Sequence, residues 1–174
     1  SSSLFAKNLG FENFPIEDLL VFHIVFGKTV SDISLNAVAN LGYAEVKFLR
    51  PVYSGDTIYA ESEVIGLKEN SNGKTGIVYV KTKGFNQKNE VIIEYIRWVM
   101  VKKHKQGASG SNPTVPNFKK YLQGSEVPVI SGLMFDKFEY VFSGEKFKLG
   151  DYSIGEKIIH SGSVTLDETE HILA

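Results

Sequence analysis

The segment 16–27 constrains the fold more than any other part of the chain, because nearly all of its residues are apolar. Pro15 precedes it, acidic residues stand at its start and Gly27 closes it, which are the signals of a helix start and stop. The spacing therefore predicts a helix over 16–27. A helix that is apolar on nearly every face is buried on all sides, so this chain needs a second element that wraps it.

The segments that follow have the pattern of β-strands and supply the wrapping element. Apolar and polar residues alternate over 57–67 and 75–84, and polar turn sequences stand at 70–73 and 86–89. β-forming residues also occur over 38–48. The segment 90–103 is apolar on both faces, which indicates a strand in the centre of a sheet. The connections are too short for parallel crossovers, so we predict an α+β fold with an antiparallel sheet around a helix.

The composition changes after residue 105, where Gly, Ser, Asn and Pro dominate as in a linker. Aromatic residues return from Phe135, a strand is predicted over 156–164, and a capping box at Thr165 predicts the start of a helix. We therefore expect three parts: a first unit that lacks its beginning (1–105), a linker (106–134) and the beginning of a second unit (135–174). The chain would then be the middle of a longer two-unit enzyme.

Composition excludes several function classes. The 19 basic and 20 acidic residues give a net charge of −1, which leaves no electrostatic footprint for nucleic acid or an anionic membrane. No apolar run approaches the roughly 20 residues that span a bilayer. The absence of Cys excludes disulfides and thiolate chemistry and fits a cytoplasmic protein. No spacing of His, Asp or Glu predicts a metal site.

Several sequence strings resemble a known family. FLRPVYSGDT, at 48–57, is similar to the strand–turn–strand segment of the MaoC-like hotdog hydratases. Further strings resemble a two-hotdog branch of that family; they lie at 19–30, 34–43, 66–73, 95–101 and 151–156. The resemblance covers nearly the whole chain and implies a hotdog fold, in which an antiparallel sheet wraps a central helix, as part of a double hotdog.

The resemblance also implies an activity. The implied enzyme is a hydro-lyase of the enoyl-CoA hydratase class, which reversibly hydrates mesaconyl-CoA to β-methylmalyl-CoA. The resemblance implies neither a metal nor a redox cofactor. The expected ligand is an acyl-CoA thioester, and the expected assembly is a homo-oligomer or a pseudo-dimer of hotdog units. The family's Asp-x-Asn-Pro-x-His segment supplies the acid and base, and it does not occur in this sequence. We therefore assign no catalytic residue here and expect no hydration by the 174-residue chain alone.

Asp18 and His23 are two candidate substrate-binding residues on the predicted helix. The family usually has a Gly near the start of this helix, whose N–H polarises the thioester carbonyl, and Asp18 takes roughly that place. The resemblance therefore implies that the first unit supports catalysis without performing it. His23 is interpreted as a hydrogen-bonded core histidine, with substrate contact as the alternative.

The other candidates are Asn36, Asn40 and Arg50. The two asparagines satisfy turns or line an acyl-CoA tunnel. Arg50 is either solvated and ion-paired or a ligand of a CoA phosphate. Asp56 is interpreted as a turn residue, and His171 with Asp167 as part of a helix start at the surface.

Two other functions stay open. One is a hotdog acyl-CoA thioesterase, in which Glu17 or Asp18 would activate water. The other is a non-catalytic hotdog that binds acyl-CoA.

Overall fold

A computed structural model describes residues 3–104, 112–119, 121–140, 147–163 and 165. The chain divides into two compact units, Ser1–Phe138 and Glu139–Ala174. The predicted parts, with limits at 105 and 134, stay a prediction. No helix among the described residues is long and apolar enough to cross a membrane.

A four-stranded sheet forms the body of the first unit. The strands are β1 (Ala37–Phe48), β2 (Tyr59–Glu69), β3 (Thr75–Phe85) and β4 (Val91–Lys102), in the order β1-β4-β3-β2. All pairings are antiparallel, as the short connections predicted. The prediction that the last strand is central is confirmed, because β4 lies between β1 and β3 and has buried residues on both faces.

One face of the sheet carries the apolar helix. A short helix α1 (Ser3–Asn8) comes first, and α2 (Asp18–Lys28) lies within one or two residues of its predicted limits. The Glu17 side chain caps α2 by accepting the Leu20 N–H at 2.9 Å. The core beneath α2 consists of Val21, Val25, Val52, Ile92, Ile93 and Tyr95. The helix–sheet arrangement that the sequence predicts is thus confirmed.

The expected burial of α2 on all sides is wrong. Only Val21 and Val25 are buried, whereas Leu19, Leu20 and Ile24 are 60%, 51% and 40% exposed. The physical reason is that the sheet covers α2 from one side, and nothing among the described residues covers the other. The composition of the helix therefore indicates a second apolar surface that the sheet does not supply.

The opposite face of the sheet is crossed by residues 112–118, which we call the strap. Thr114 and Leu67 exchange backbone hydrogen bonds of 2.8 and 2.9 Å, and Phe118 stacks on Trp98 with ring centroids 5.0 Å apart. Gly66 leaves the space that the strap needs, since a Cβ there would lie 2.5 Å from the Thr114 carbonyl oxygen. Part of the predicted linker is therefore packed on the sheet.

β1 is an irregular edge strand. Its pairing with β4 shifts register three times, between Ala37 and Ala39, between Asn40 and Gly42, and between Ala44 and Lys47. Glu45 lies inside the third shift and has a φ of 52°, in the left-handed region that non-glycine residues rarely adopt. These bulges bend β1 and increase its local twist.

The described part of the second unit contains little regular structure. A 3₁₀ turn spans Leu149–Asp151, and the Lys148 ammonium lies 3.8 Å from the centre of the Tyr140 ring. The strand predicted over 156–164 is wrong, because residues 156–163 are neither paired nor buried. A strand needs a neighbouring strand that pairs with its backbone N–H and C=O groups, and an apolar sequence does not supply that neighbour. The helix predicted from Thr165, with Asp167 and His171, lies outside the described residues.

Candidate functional site

The first end of the candidate site is the N-terminus of α2. Glu17 is occupied as the cap, and Asp18 is the first helical residue. Partial burial raises the pKa of Asp18, and the neighbouring charge of Glu17 raises it further. Asp18 therefore holds its proton to a higher pH than an ordinary aspartate, in the first turn of α2.

A loop after β1 lies beside this helix start. The Ile16 N–H donates to the Val52 carbonyl at 2.7 Å, and Pro15 forms an antiparallel bridge with Tyr53. Asp56 shapes the loop by accepting the Tyr53 N–H at 2.9 Å, which confirms its predicted role as a turn residue. Because Ile16 is bonded to Val52, Asp18 and Arg50 flank the same junction.

A polar cavity of about 310 Å³ opens at this junction. Arg50 lines it and lies 3.6 Å from Glu90, with the Arg50 side chain 55% exposed. A hydrogen bond from Asn86, more than the charge of Arg50, lowers the pKa of Glu90. Arg50 is therefore ion-paired, as one of its two sequence interpretations states. The charged and polar residues around the cavity include Glu12, Arg50, Tyr53, Asp56, Asn86, Lys88 and Glu90.

His23 does not lie where the sequence interpretation puts it. The interpretation as a core histidine is wrong, because His23 is exposed. At about 100° per residue, a position two residues from both Val21 and Val25 points away from the sheet. His23 stands among the exposed apolar residues of α2, where its ring contacts Phe22 edge-on at 5.6 Å. A role in substrate contact stays a prediction.

Asn36 and Asn40 lie at the start of β1 and are both exposed. Neither side chain makes a hydrogen bond to any described residue, so the structure supplies no partner for their interpretation as turn-forming groups. Arg50 lies in the loop after β1, and at about 3.3 Å per residue roughly 30 Å of extended chain separates it from Asn40. The structure therefore brings Asp18 and Arg50 to one end of the α2–sheet interface and leaves the asparagines at the other.

The second end of the interface contains a residue that the sequence interpretation missed. Arg97, on β4, is 0% exposed and lies under the C-terminal end of α2. Its Nη2 group donates to the Thr29 carbonyl and to Ser34 Oγ, both at 3.4 Å, and its guanidinium lies 4.7 Å from the Phe26 ring centre. The Nε and Nη1 groups have no acceptor among the described residues.

Tyr95 precedes Arg97 by two residues on the same face of β4. Its hydroxyl is buried beside the Thr82 and Thr29 hydroxyls and makes no hydrogen bond of ordinary geometry to any residue that the structure describes. Burial raises the pKa of Tyr95, while the nearby Thr82 hydroxyl and the Arg97 charge act in the opposite direction. Burial also lowers the pKa of Arg97, against the influence of the Tyr95 and Tyr43 phenols. The two side chains form a buried polar site with unused donors.

A signal for this site exists in the sequence. Arg97, like Glu94, interrupts a segment that is mainly apolar on both faces, and a charge inside a predicted central strand has little access to solvent. Such a charge needs a partner or a function. Elsewhere among the described residues, no group of three or more His, Asp or Glu side chains could hold a metal ion.

Comparison with known proteins identifies the family. The family model of mesaconyl-CoA hydratase matches residues 2–130. Two curated relatives match all 174 residues: mesaconyl-CoA hydratase of Cereibacter sphaeroides, at 51% identity, and β-methylmalyl-CoA dehydratase of Chloroflexus aurantiacus, at 48%. The chain spans about half the length of these relatives, 51% and 49% respectively.

Solved structures agree with this assignment. A MaoC domain dehydratase from Chloroflexus aurantiacus superposes with a TM-score of 0.81 at 48% identity, over 99% of this chain and 49% of that one. A double-hotdog protein from Mycobacterium tuberculosis matches with a TM-score of 0.54 at 21% identity, over 75% of this chain and 40% of that one, and supports the fold alone. The helix and antiparallel sheet described above are a hotdog, and the chain belongs to the mesaconyl-CoA hydratase family of MaoC-like hotdog proteins.

Proposed function

We propose that this chain is the acyl-CoA-binding part of an enzyme that reversibly hydrates mesaconyl-CoA to β-methylmalyl-CoA. The observation that carries the proposal is the 51% identity to a mesaconyl-CoA hydratase over all 174 residues. Water adds its oxygen to the carbon beside the free carboxylate and a proton to the methyl-bearing carbon beside the thioester. The enzyme needs an acid and a base for these two transfers.

The candidate residues divide between the two ends of the α2–sheet interface. Arg50 would bind a CoA phosphate, because it is half exposed and its ion pair with Glu90 is long, at 3.6 Å. Asp18 and His23 on α2, with Asn36 and Asn40 at the start of β1, would line the path of the acyl chain. The double-hotdog arrangement would cover the exposed apolar residues of α2. Assembly as an oligomer or pseudo-dimer and a cytoplasmic location belong to the same proposal.

The test uses the complete protein expressed from its whole coding sequence. Incubation with mesaconyl-CoA should bleach the absorbance of the conjugated enoyl thioester and give a product heavier by one water. The reverse reaction from β-methylmalyl-CoA should reach the same equilibrium mixture. Release of free CoA without a hydrated product would overturn the proposal.

A thioesterase is the second candidate, and the raised pKa of Asp18 favours it. A carboxylate with weakened acidity at a helix N-terminus could activate water against a thioester. A thiol-reactive dye measures the release of CoA directly. If this candidate is right, the wild-type protein should release CoA and an Asp18→Asn variant should abolish the release. If the hydratase proposal is right, both proteins should release CoA only at the uncatalysed rate.

A non-catalytic acyl-CoA-binding role is the remaining alternative. It predicts that the complete protein binds mesaconyl-CoA in a calorimeter while producing neither β-methylmalyl-CoA nor free CoA. The hydration assay and the CoA-release assay would then both show no turnover, even when the protein is saturated with mesaconyl-CoA.

The role proposed for Arg50 gives a prediction about affinity. Arg50→Met should raise the KM for mesaconyl-CoA by about 3- to 10-fold and leave kcat nearly unchanged, since an exposed cation contributes modestly to phosphate binding. Lys83→Met, which removes another exposed cation on β3, is the matched control and should change neither constant. An Arg50→Met enzyme with an unaltered KM would contradict the phosphate role.

A further inference from the structure

The guanidinium of Arg97 is buried without a counter-charge from any residue that the structure describes. It is fully enclosed, and within that part of the chain only Nη2 of its three nitrogens finds acceptors, both at 3.4 Å, the outer limit of a hydrogen bond. Arg stays protonated in proteins, so burial cannot neutralise it. The Phe26 ring at 4.7 Å offsets part of the cost of burial. An unpaired guanidinium held in this way indicates an acceptor that the described residues do not supply.

The missing acceptor has the chemistry of a carboxylate. No described Asp or Glu forms a salt bridge with Arg97; Asp32, which lies in the adjacent π-helix (Val30–Ser34), is exposed and bonded to Ser31. A planar carboxylate accepts from one edge of a guanidinium through two parallel N–H bonds, which is the strongest pairing available to Arg. The buried Tyr95 hydroxyl lies on the same face of β4 and has no well-formed hydrogen bond to a described residue, although the Thr82 and Thr29 hydroxyls are near it.

The substrate of the proposed function carries such a group. Mesaconyl-CoA is the half-thioester of a dicarboxylic acid, so its acyl part ends in one free carboxylate. We propose that Arg97 binds the free carboxylate of the acyl group and thereby makes this hotdog specific for dicarboxylic half-thioesters. The inference rests on the function proposed above and names the residue that selects its substrate class.

Two residues beside Arg97 are open to solvent, wholly or in part. Tyr43 pairs with Arg97 across β1 and β4 and is 42% exposed, and Ser34 is partly exposed in the π-helix. A carboxylate that arrives from this side displaces only two long hydrogen bonds. Single-turn π-helices are rare and frequently stand at functional sites. The ring of Tyr43 lies 6.4 Å from that of Tyr95, so the exposed and buried members of the site are in contact.

Binding at Arg97 also assists the proposed reaction. The carbon that accepts the water oxygen carries the free carboxylate, whose negative charge repels an approaching nucleophile. Pairing with a guanidinium in a dry site neutralises that charge and fixes the orientation of the acyl chain. Arg97 is accordingly a binding and specificity residue, and the protons are transferred by other groups.

The experiment compares two substrates in the complete protein. One is mesaconyl-CoA, and the other is 2-methylbut-2-enoyl-CoA, in which a methyl group replaces the free carboxylate. Arg97→Met should lower kcat/KM for mesaconyl-CoA by about 100-fold or more, since truncating one partner of a buried charge pair has an effect of this order. It should change kcat/KM for the neutral analogue by less than about 3-fold. Arg97→Lys keeps the charge and loses the planar guanidinium, so it should also lower kcat/KM selectively for mesaconyl-CoA, but by a smaller factor.

Several outcomes overturn the proposal. Equal losses on both substrates would mean that Arg97 is structural, as it would be if a carboxylate elsewhere in the protein paired with it. Unchanged kinetics would exclude any contact. Lys83→Met is the control for removal of a positive charge and should alter neither substrate. If Arg97→Met fails to fold, the substrate selectivity of Arg97→Lys decides the question.

A binding measurement separates this proposal from the proposed function. Free mesaconate should raise the melting temperature of the wild-type protein by a few degrees and leave that of Arg97→Lys nearly unchanged. If the wild-type protein does not hydrate mesaconyl-CoA, the proposed function fails whatever Arg97 does. If mesaconate stabilises both proteins equally, or neither, the site at Arg97 fails.

Discussion

The two faces of β4 hold charge in different ways. Glu94 points toward the strap face and pairs with Lys47 at 3.3 Å and Lys81 at 3.5 Å, while remaining 19% exposed. Arg97, three residues further, points toward α2, is fully enclosed and has no carboxylate partner among the described residues. The residues of a strand alternate between faces, so neighbouring charges enter separate environments. The comparison teaches that one strand can hold a carboxylate paired on one face and a buried guanidinium without a described carboxylate partner on the other.

The tight packing of the α2 face leads to the largest expected change in stability. A Cβ on Gly84 would lie 2.6 Å from Val25 Cγ2 and 2.8 Å from Ile93 Cγ2. Gly84→Ala should lower the free energy of unfolding by about 2 kcal/mol, because the core must move to admit a methyl group. Chemical denaturation measures this change. Val25→Ala in the same protein should recover part of the loss, and strictly additive effects would show that α2 and β3 are not in contact.

Replacing Arg97 should have a smaller effect and the opposite sign. Arg97→Met exchanges an unpaired buried charge for an apolar side chain of similar length, so the free energy of unfolding without ligand should rise by about 1–2 kcal/mol. The measurement is again a denaturation midpoint. A loss of stability of the same size would show that Arg97 has a partner in the complete protein, and would remove the contrast between the two faces.

The pH dependence of Glu94 gives the smallest effect. Burial opposes ionisation of Glu94, but its hydrogen bond to Lys47 and the charge of Lys81 prevail and lower its pKa. The resulting stabilisation is present above the pKa of an unfolded Glu and is lost as the pH falls through the lower, folded value. Glu94→Gln should therefore lower stability by about 0.5–1 kcal/mol at pH 7 and by nearly nothing at acidic pH. A constant difference at every pH would contradict the ion pairs.

The sequence predicted the elements of the first unit well, and physical reasons explain the errors. Continuous apolar character marked β4 as central, because a strand covered on both faces cannot carry the alternation of a surface strand. Burial of α2 and of His23 could not be predicted, since it depends on what covers a helix, and the sheet covers only one side. The strap was missed because its Gly, Ser and Pro neighbours resemble a linker, whereas the contacts that hold it, such as Phe118 on Trp98, join residues far apart in the chain.

The site was predicted less completely than the fold. Arg50, Asp18, Asn36 and Asn40 were selected for their chemistry, and their arrangement depends on pairings far apart in the chain, such as Ile16 with Val52. Arg97 was overlooked because an arginine is normally solvated, although its place in an apolar strand was visible. A test for charges inside predicted central strands would have found it.

The bulges of β1 have a consequence for the tendency of the chain to aggregate. An exposed edge strand with a regular ladder is a template on which unfolded copies add strands and aggregate. β1 changes register three times along its pairing with β4 and twists at Glu45. A strand from another chain could therefore pair with only a short stretch of β1 before the hydrogen-bond register of the two strands no longer matched. The irregular edge thus protects a newly made chain from self-association while its exposed apolar residues are still uncovered.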